Sequence, residues 1–179
     1  GVSADIADGA YRAGQSIPIT ATFSESVIVS GAPTLTLATG GANSAIAYTS
    51  GTGTNKLTFN YTVATGENSA RLDYAAAAAL AIPAGSRITD LTGNDLAPLN
   101  GAGEYLPVPG ATNSLGANKN LIIDTIAPTF AVTYSNSNPA FKAGAVTITV
   151  TATEPLAAAP AISINQQGTT DIALSLIHI

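Results

Sequence analysis

The sequence has no cysteine, no methionine and no tryptophan, and only 9% of its 179 residues are charged. Without cysteine there are no disulfides, no thiolate metal sites and no cysteine nucleophile. Histidine is nearly missing too. The single one, His178, stands second from the end, so a Ser-His-Asp arrangement or an imidazole metal site would depend on a fraying terminus. Positive charge is scarce, with six Lys and Arg against eleven Asp and Glu and a net charge of -5. Nucleic-acid modules gather Lys and Arg on one face, and no such cluster occurs, so no nucleic-acid partner is expected. No apolar run reaches the roughly 18 residues of a spanning helix. The opening Gly1-Val2-Ser3-Ala4-Asp5 lacks the basic and apolar parts of a signal peptide, so Gly1 is expected not to be the native start, and no membrane insertion is expected in this segment.

What fills the space is small and hydroxylated: 34 Ala, 23 Thr and 17 Gly. An ordinary domain carries about 25% charged residues, so hydroxyls must keep this surface wet. Period two dominates. Ile17, Ile19, Ala21 and Phe23 alternate with Pro18, Thr20 and Thr22; Leu35 and Leu37 alternate with Thr34 and Thr36; Leu57, Phe59, Tyr61 and Val63 alternate with Thr58, Asn60 and Thr62. Each predicts a strand with one buried and one hydroxyl-rich face. Gly, Pro, Asn and Ser punctuate residues 30–33, 39–43, 50–55 and 64–68 as turns. Further strands are expected at Arg87-Ile88-Thr89 and Leu121-Ile122-Ile123, with a long loop over about 93–118 between them. The five alanines 75–79 favour helix by propensity, but so short a run cannot repay nucleation and is read as a connector. Strands at this spacing predict an all-β sandwich.

An internal repeat organises the chain. Ala10-Tyr11-Arg12-Ala13-Gly14, followed by Ile17, Ile19, Ala21, Phe23 and Glu25, returns as Ala140-Phe141-Lys142-Ala143-Gly144, followed by Val146, Ile148, Val150, Ala152 and Glu154. The offset is 130 and then 129. Ala32-Pro33-Thr34-Leu35-Thr36-Leu37 likewise matches Ala159-Pro160-Ala161-Ile162-Ser163-Ile164. The expected organisation is a complete domain over 1–126, the first strands of a second, truncated one over 127–173, and a non-native tail over 174–179, to which His178 belongs. Pro128 restricts the hinge.

The strings Ala7-Asp8-Gly9-Ala10-Tyr11, Thr22-Phe23-Ser24-Glu25, Leu57-Thr58-Phe59-Asn60-Tyr61-Thr62-Val63, Asp90-Leu91-Thr92-Gly93-Asn94 and Ile123-Asp124-Thr125-Ile126-Ala127-Pro128-Thr129, in that order, resemble bacterial Ig-like repeats. The kind they are most similar to is the swimming-motility-type surface repeat of very large secreted or surface-anchored proteins. The resemblance implies an Ig-like antiparallel β-sandwich, an extracellular or cell-surface location, neighbouring repeats as partners, a host or matrix surface engaged through distal modules, and no catalytic machinery. A structural spacer or adhesin stalk is the expected function. Domains that touch only their neighbours suit that role.

Oxygen ligands are the only metal chemistry on offer, and they suit calcium. In an Ig-like topology Glu25 is expected at the top of the first domain and Glu154 at the top of the second, with the linker carboxylate Asp124 beside Glu154. Asp8 and Glu67 are expected at the bottom of the first domain. Asp90, Asn94 and Asp95 form another candidate group near Glu25. The pattern resembles cadherin-like calcium junctions, with Asp8, Glu25, Asp90, Asp95, Asp124 and Glu154 as candidate ligands. Against it stands the use of Asp and Asn beside Gly as ordinary turn residues. Glu67 is expected to be solvated, as a surface pair with Arg71, and Tyr11 and Phe141 to be packing anchors. The rival reading is a carbohydrate- or ligand-binding module using Tyr105, Pro107 and Pro109 of the long loop; a third is an accessory domain of an extracellular hydrolase.

Overall fold

A computed structural model describes residues 1–99, 101, 103–135, 146–156, 158–164 and 172–174. The chain divides into two compact units, Gly1–Ile126 and Ala127–Ile179. Among the described residues the fold is all-β apart from one helical turn.

The first unit contains β1 (Val2–Ala4), β2 (Gly9–Tyr11), β3 (Ser16–Ser30), β4 (Thr34–Ala38), β5 (Ser44–Ser50), β6 (Thr54–Thr62), β7 (Asp73–Tyr74), β8 (Leu80–Ala81), β9 (Arg87–Asp90), α1 (Leu115–Asn118) and β10 (Leu121–Ile123). Eight of these strands form one curled antiparallel sheet in the order β1-β3-β6-β5-β4-β7, with β8 also on β4 and β9 also on β3. Strand β10 runs parallel to β2, pairing Leu121 with Gly9 and Ile123 with Tyr11. The alternation read from the sequence becomes the core: Ile17, Ile19, Leu35, Leu37, Leu57, Phe59 and Tyr61 are buried, joined by Leu72, Tyr74, Leu80 and Ile88.

Strand β3 is twice as long as its apolar alternation. Its first half pairs with β1 and β6, the register breaks between Thr22 and Val27, and the second half pairs with β9, Val27 opposite Asp90. Such a bulge bends a strand and lets it change partner. The alanine run is a connector, with a turn closed by Ala79 N–H donating to Ala76 O at 2.9 Å.

The long segment before β10 is pinned rather than free. Leu106 N–H donates to Ala77 O, Tyr74 OH donates to Pro107 O at 2.6 Å, and Gly110 N–H donates to the Asp73 carboxylate at 2.9 Å. Its end winds into α1, capped by the Ser114 hydroxyl accepting from Ala117 N–H. Its Tyr105 is half-buried against the core.

The second unit contains β11 (Phe130–Tyr134), β12 (Ile148–Ala152), β13 (Ile162–Ile164) and β14 (Ile172–Leu174), in two antiparallel pairs, β11 with β12 and β13 with β14. Phe141 and the whole stretch Ala140-Phe141-Lys142-Ala143-Gly144 lie outside the described residues, as does His178.

The ladder β11–β12 reproduces β1–β3. Val132 faces Val150 and Tyr134 faces Ile148, as Val2 faces Ala21 and Ala4 faces Ile19. Both ladders end on the same bond: Asp5 N–H donates to Pro18 O at 3.0 Å, and Ser135 N–H donates to Thr147 O at 2.9 Å. The offsets are again 130 on one strand and 129 on the other.

Candidate functional site

The bulge in β3 and the turn after β9 open a groove in the first unit, with a volume of about 560 Å³. Glu25, Asp90 and Asp95 stand on its rim, and Phe23, Leu96, Leu99, Tyr105 and Pro107 contribute apolar wall. Three of the six candidate carboxylates therefore share one groove.

Their chemistry differs. Asp90 is satisfied by its own turn: it accepts from Thr92 N–H and Asn94 N–H at 2.8 Å each, and from the Asn94 side-chain amide at 2.7 Å. These donors, the Asn94 amide foremost, lower its pKa to about 2. Asp95 pairs with Arg87 at 2.8 Å, and that contact holds its carboxyl below the ordinary range. Glu25 is exposed and has no cationic partner among the described residues.

Asp8 and Asp124 do not meet. Asp8 accepts from Asn120 N–H at 3.1 Å and lies 3.3 Å from Lys119, the Asn120 bond being the larger cause of its lowered pKa. Asp124 follows the other end of the same parallel ladder, donating its N–H to Tyr11 O and accepting from Ile126 N–H at 3.0 Å. Four ladder steps of about 3.3 Å put roughly 13 Å between them. Glu154 belongs to the second unit, just after β12, and is half-buried beside Pro155 and Leu156 in an apolar hollow. Among the described residues no three acidic or histidine side chains converge as a cation site.

Glu67 corrects the sequence reading. It is 9% exposed, not solvated. Ser44 Oγ donates to one carboxylate oxygen; Tyr61 OH and Ala64 N–H donate to the other, each at 2.7 Å. Burial pushes its carboxyl up, and these donors together pull it further down, to a net value below the ordinary one. Burial and the same carboxylate push the Tyr61 phenol up. Arg71 turns away, its Nε donating to Gly116 O at 2.5 Å. The sequence carried half of this signal, since Tyr61 and Glu67 stand either side of a turn, but Ser44 comes from 23 residues away.

Tyr11 is a packing anchor, buried with its hydroxyl donating to Ala7 O at 2.5 Å. No helix among the described residues is long and apolar enough to cross a membrane. Comparison with protein-family models, with curated proteins and with solved structures finds no match to this chain.

Proposed function

We propose that the chain is a tandem-repeat spacer of a large bacterial secreted or surface protein, built from Ig-like β-sandwich units and serving as an adhesin-like stalk. The observation that carries this reading is the repeated ladder, in which β11–β12 takes the register and closing bond of β1–β3 at the sequence offset of the repeat. The order β1-β3-β6-β5 supports the Ig-like assignment, since it follows the A-B-E-D sheet of that fold. The work of such a unit is mechanical: its first strand is laddered to β3 and its last to β2, and its hydroxyl-rich outer faces need no ligand.

Single-molecule pulling on the full chain tests the reading. The first unit, Gly1–Ile126, is expected to unfold in one step that releases chain at about 3.6 Å per residue, on the order of 450 Å before its folded length is subtracted. Gradual extension at low force overturns the reading.

No step of this proposal runs through calcium. Glu25, Asp124 and Glu154 remain as oxygen ligands without a cationic partner among the described residues, and melting the chain with calcium and then with chelator reads whether they hold an ion. Calcium at a hundredfold excess over Kd would add about 2.7 kcal/mol, lost in Asp124→Ala or Glu154→Ala.

The groove supports a second reading as a carbohydrate- or ligand-binding module, because Tyr105 and Pro107 are in its wall. Glycan-array hits that disappear in Tyr105→Ala would favour it.

A further inference from the structure

We propose that the turn at 64–68 is an acid-released latch on the exit of the first unit: ionised Glu67 holds the turn in the shape that grips Thr125, and protonation of its carboxylate frees residues 124–126. The latch lies wholly within Gly1–Ile126.

The exit strand is held from two sides. On one side β10 runs along β2, and Asp124 N–H continues that ladder by donating to Tyr11 O at 3.0 Å. On the other, Ser69 and Ile123 exchange both backbone bonds at 2.8 Å. Past Ile123 the turn takes over this second side. Gly66 N–H donates to the Thr125 hydroxyl at 3.0 Å, and Thr125 N–H donates to the Asn68 side-chain oxygen at 2.8 Å. Gly66 and Asn68 flank Glu67, so one residue sets the spacing of both gripping groups.

The hydrogen bonds of the Glu67 carboxylate run inward, to Ser44 of β5, Tyr61 of β6 and the Ala64 N–H at the start of the turn. Asn68 N–H donates to Thr39 O at 2.9 Å, and the Asn68 carbonyl lies against Gly40, where a Cβ would stand 1.5 Å from it. The turn is therefore fastened to β5, β6 and the end of β4 on its inner side and to the exit strand on its outer side. Glu67 is a positioning residue that acts on Thr125 through the turn.

Protonation undoes the inner fastening. Oε2 accepts from both Tyr61 OH and Ala64 N–H, and a proton there opposes the Ala64 N–H, which cannot reverse. A proton on Oε1 requires the Ser44 hydroxyl to turn and accept, and it leaves Tyr61 and Ala64 on a neutral carbonyl oxygen, where such bonds are about half as strong. Tyr61 is the titratable group bonded to Glu67, and it stays neutral in acid because burial and the Glu67 carboxylate push its phenol up. The hydroxyls of Ser44 and Thr39 that face Glu67 are neutral as well, and Arg71 bonds to Gly116 O instead. On the exit strand the acid is Asp124, whose carboxylate accepts from Ile126 N–H. Burial raises the Glu67 carboxyl and its donors outweigh this. The latch is therefore set above the ordinary glutamate range and is lost as pH falls through the lower, folded value.

The test uses the full chain, isotope-labelled and followed by NMR from about pH 7 to about pH 3, across the ordinary Glu range. The Glu67 carboxyl carbon reports its own titration, and hydrogen exchange compares the amides of Gly66 and Thr125 with those of the β3–β6 ladder. Protection at Gly66 and Thr125, corrected for the intrinsic effect of pH, is expected to fall at least about tenfold, the effect of one lost hydrogen bond, where Glu67 titrates, while the β3–β6 amides stay protected. Glu67→Gln should show the same local loss at neutral pH. Because that variant could weaken the whole unit, Thr125→Val is the second arm. It removes the hydroxyl that Gly66 grips and leaves Glu67 in place. A grip that needs ionised Glu67 also favours that form, so Thr125→Val should expose Gly66 and move the Glu67 midpoint up, toward the ordinary range. Asp124→Asn should keep the acid response. Equal loss at all amides, protection of Thr125 that persists through the Glu67 titration, a midpoint that Thr125→Val leaves unmoved, or an acid response that disappears in Asp124→Asn overturns the inference. The pulling experiment reads whether the first unit unfolds in one step, whatever holds residues 124–126, so the spacer reading and the latch fail separately.

Discussion

Val2 and Val132 occupy the same place in two ladders of the same register, yet one is sealed and the other half in water. The strands are not what differs. Both units carry the alternation of apolar and hydroxyl residues and close their first ladder on the same backbone bond. The first unit adds β6, β5 and β4, which curl the sheet until one apolar face covers another. Among the described residues the second unit has two separate hairpin-like pairs. A period-two pattern specifies a face to be buried, and burial then requires a second layer. Isolated two-stranded ribbons are marginal in water for the same reason.

The sharpest way to break this comparison is to truncate an aromatic in each unit. Phe59 is fully buried between β3 and β5 and meets Tyr48 edge-on with ring centres 6.2 Å apart. Phe59→Ala is expected to lower the stability of the first unit by about 3–5 kcal/mol. Phe130 is half-exposed, and Phe130→Ala should leave the main melting transition within about 2 °C of the parent. Thermal melts of both variants check this; equal losses would mean that the second unit buries its face as well as the first.

Glu67 is the next largest effect. Removing its charge by Glu67→Gln leaves the Ser44, Tyr61 and Ala64 donors on a neutral amide, and charge-assisted bonds of this kind contribute about 1.5–3 kcal/mol. The sign in pH follows from its lowered pKa. A carboxyl depressed on folding stabilises above its unfolded pKa, and that contribution is lost as pH falls through the folded value. The parent should therefore lose stability on acidification below about pH 4.5, the ordinary Glu range, while Glu67→Gln should be weaker at neutral pH and less sensitive to acid over that window. Melts from pH 7 down to pH 3 read both.

The turn geometry gives a smaller contrast. A Cβ on Gly40 would sit 1.5 Å from Asn68 O, and its φ is +83°, whereas Gly53, at φ +81°, has open space around it. Gly53→Ala should cost about 1 kcal/mol for the left-handed backbone alone, and Gly40→Ala distinctly more, because a backbone carbonyl must move. Equal costs would show that the turn at Gly40 has room to yield.

These residues also show how much could be read in advance. The first half of β3, and β4, β6 and β9, announce themselves by alternation, β10 by a short apolar run, and the turns at 39–43, 50–55 and 64–68 by Gly and Asn. Strand β5 does not, because Ala45 and Ala47 on one face barely differ in polarity from Ser44 on the other, and only Ile46 is buried. The second half of β3 is hidden by Ser24-Glu25-Ser26, where the strand changes partners. For the carboxylates, the sequence supplies the groups but not their neighbours. Asp90 reads correctly as a turn residue because its donors are local. Asp8, Asp95 and Glu67 depend on Lys119, Arg87 and Ser44, brought in by the sheet.

The smallest effect concerns the position after the first strand of each ladder. In the first unit it is Asp5, whose carboxylate takes Lys56 Nζ at 2.6 and 2.8 Å, tying the end of β1 to β6 across β3. The equivalent Ser135 accepts locally instead, from Thr147 N–H at 3.0 Å. Both ends of the ion pair are about half in water, where such a pair contributes roughly 0–1 kcal/mol and weakens with salt. Asp5→Ser makes the first unit resemble the second at this point. It should cost under about 1 kcal/mol at low salt and nothing measurable in molar salt, as read by melts at both ionic strengths. A larger, salt-independent loss would mean that Asp5 holds β1 by its backbone turn rather than by its charge.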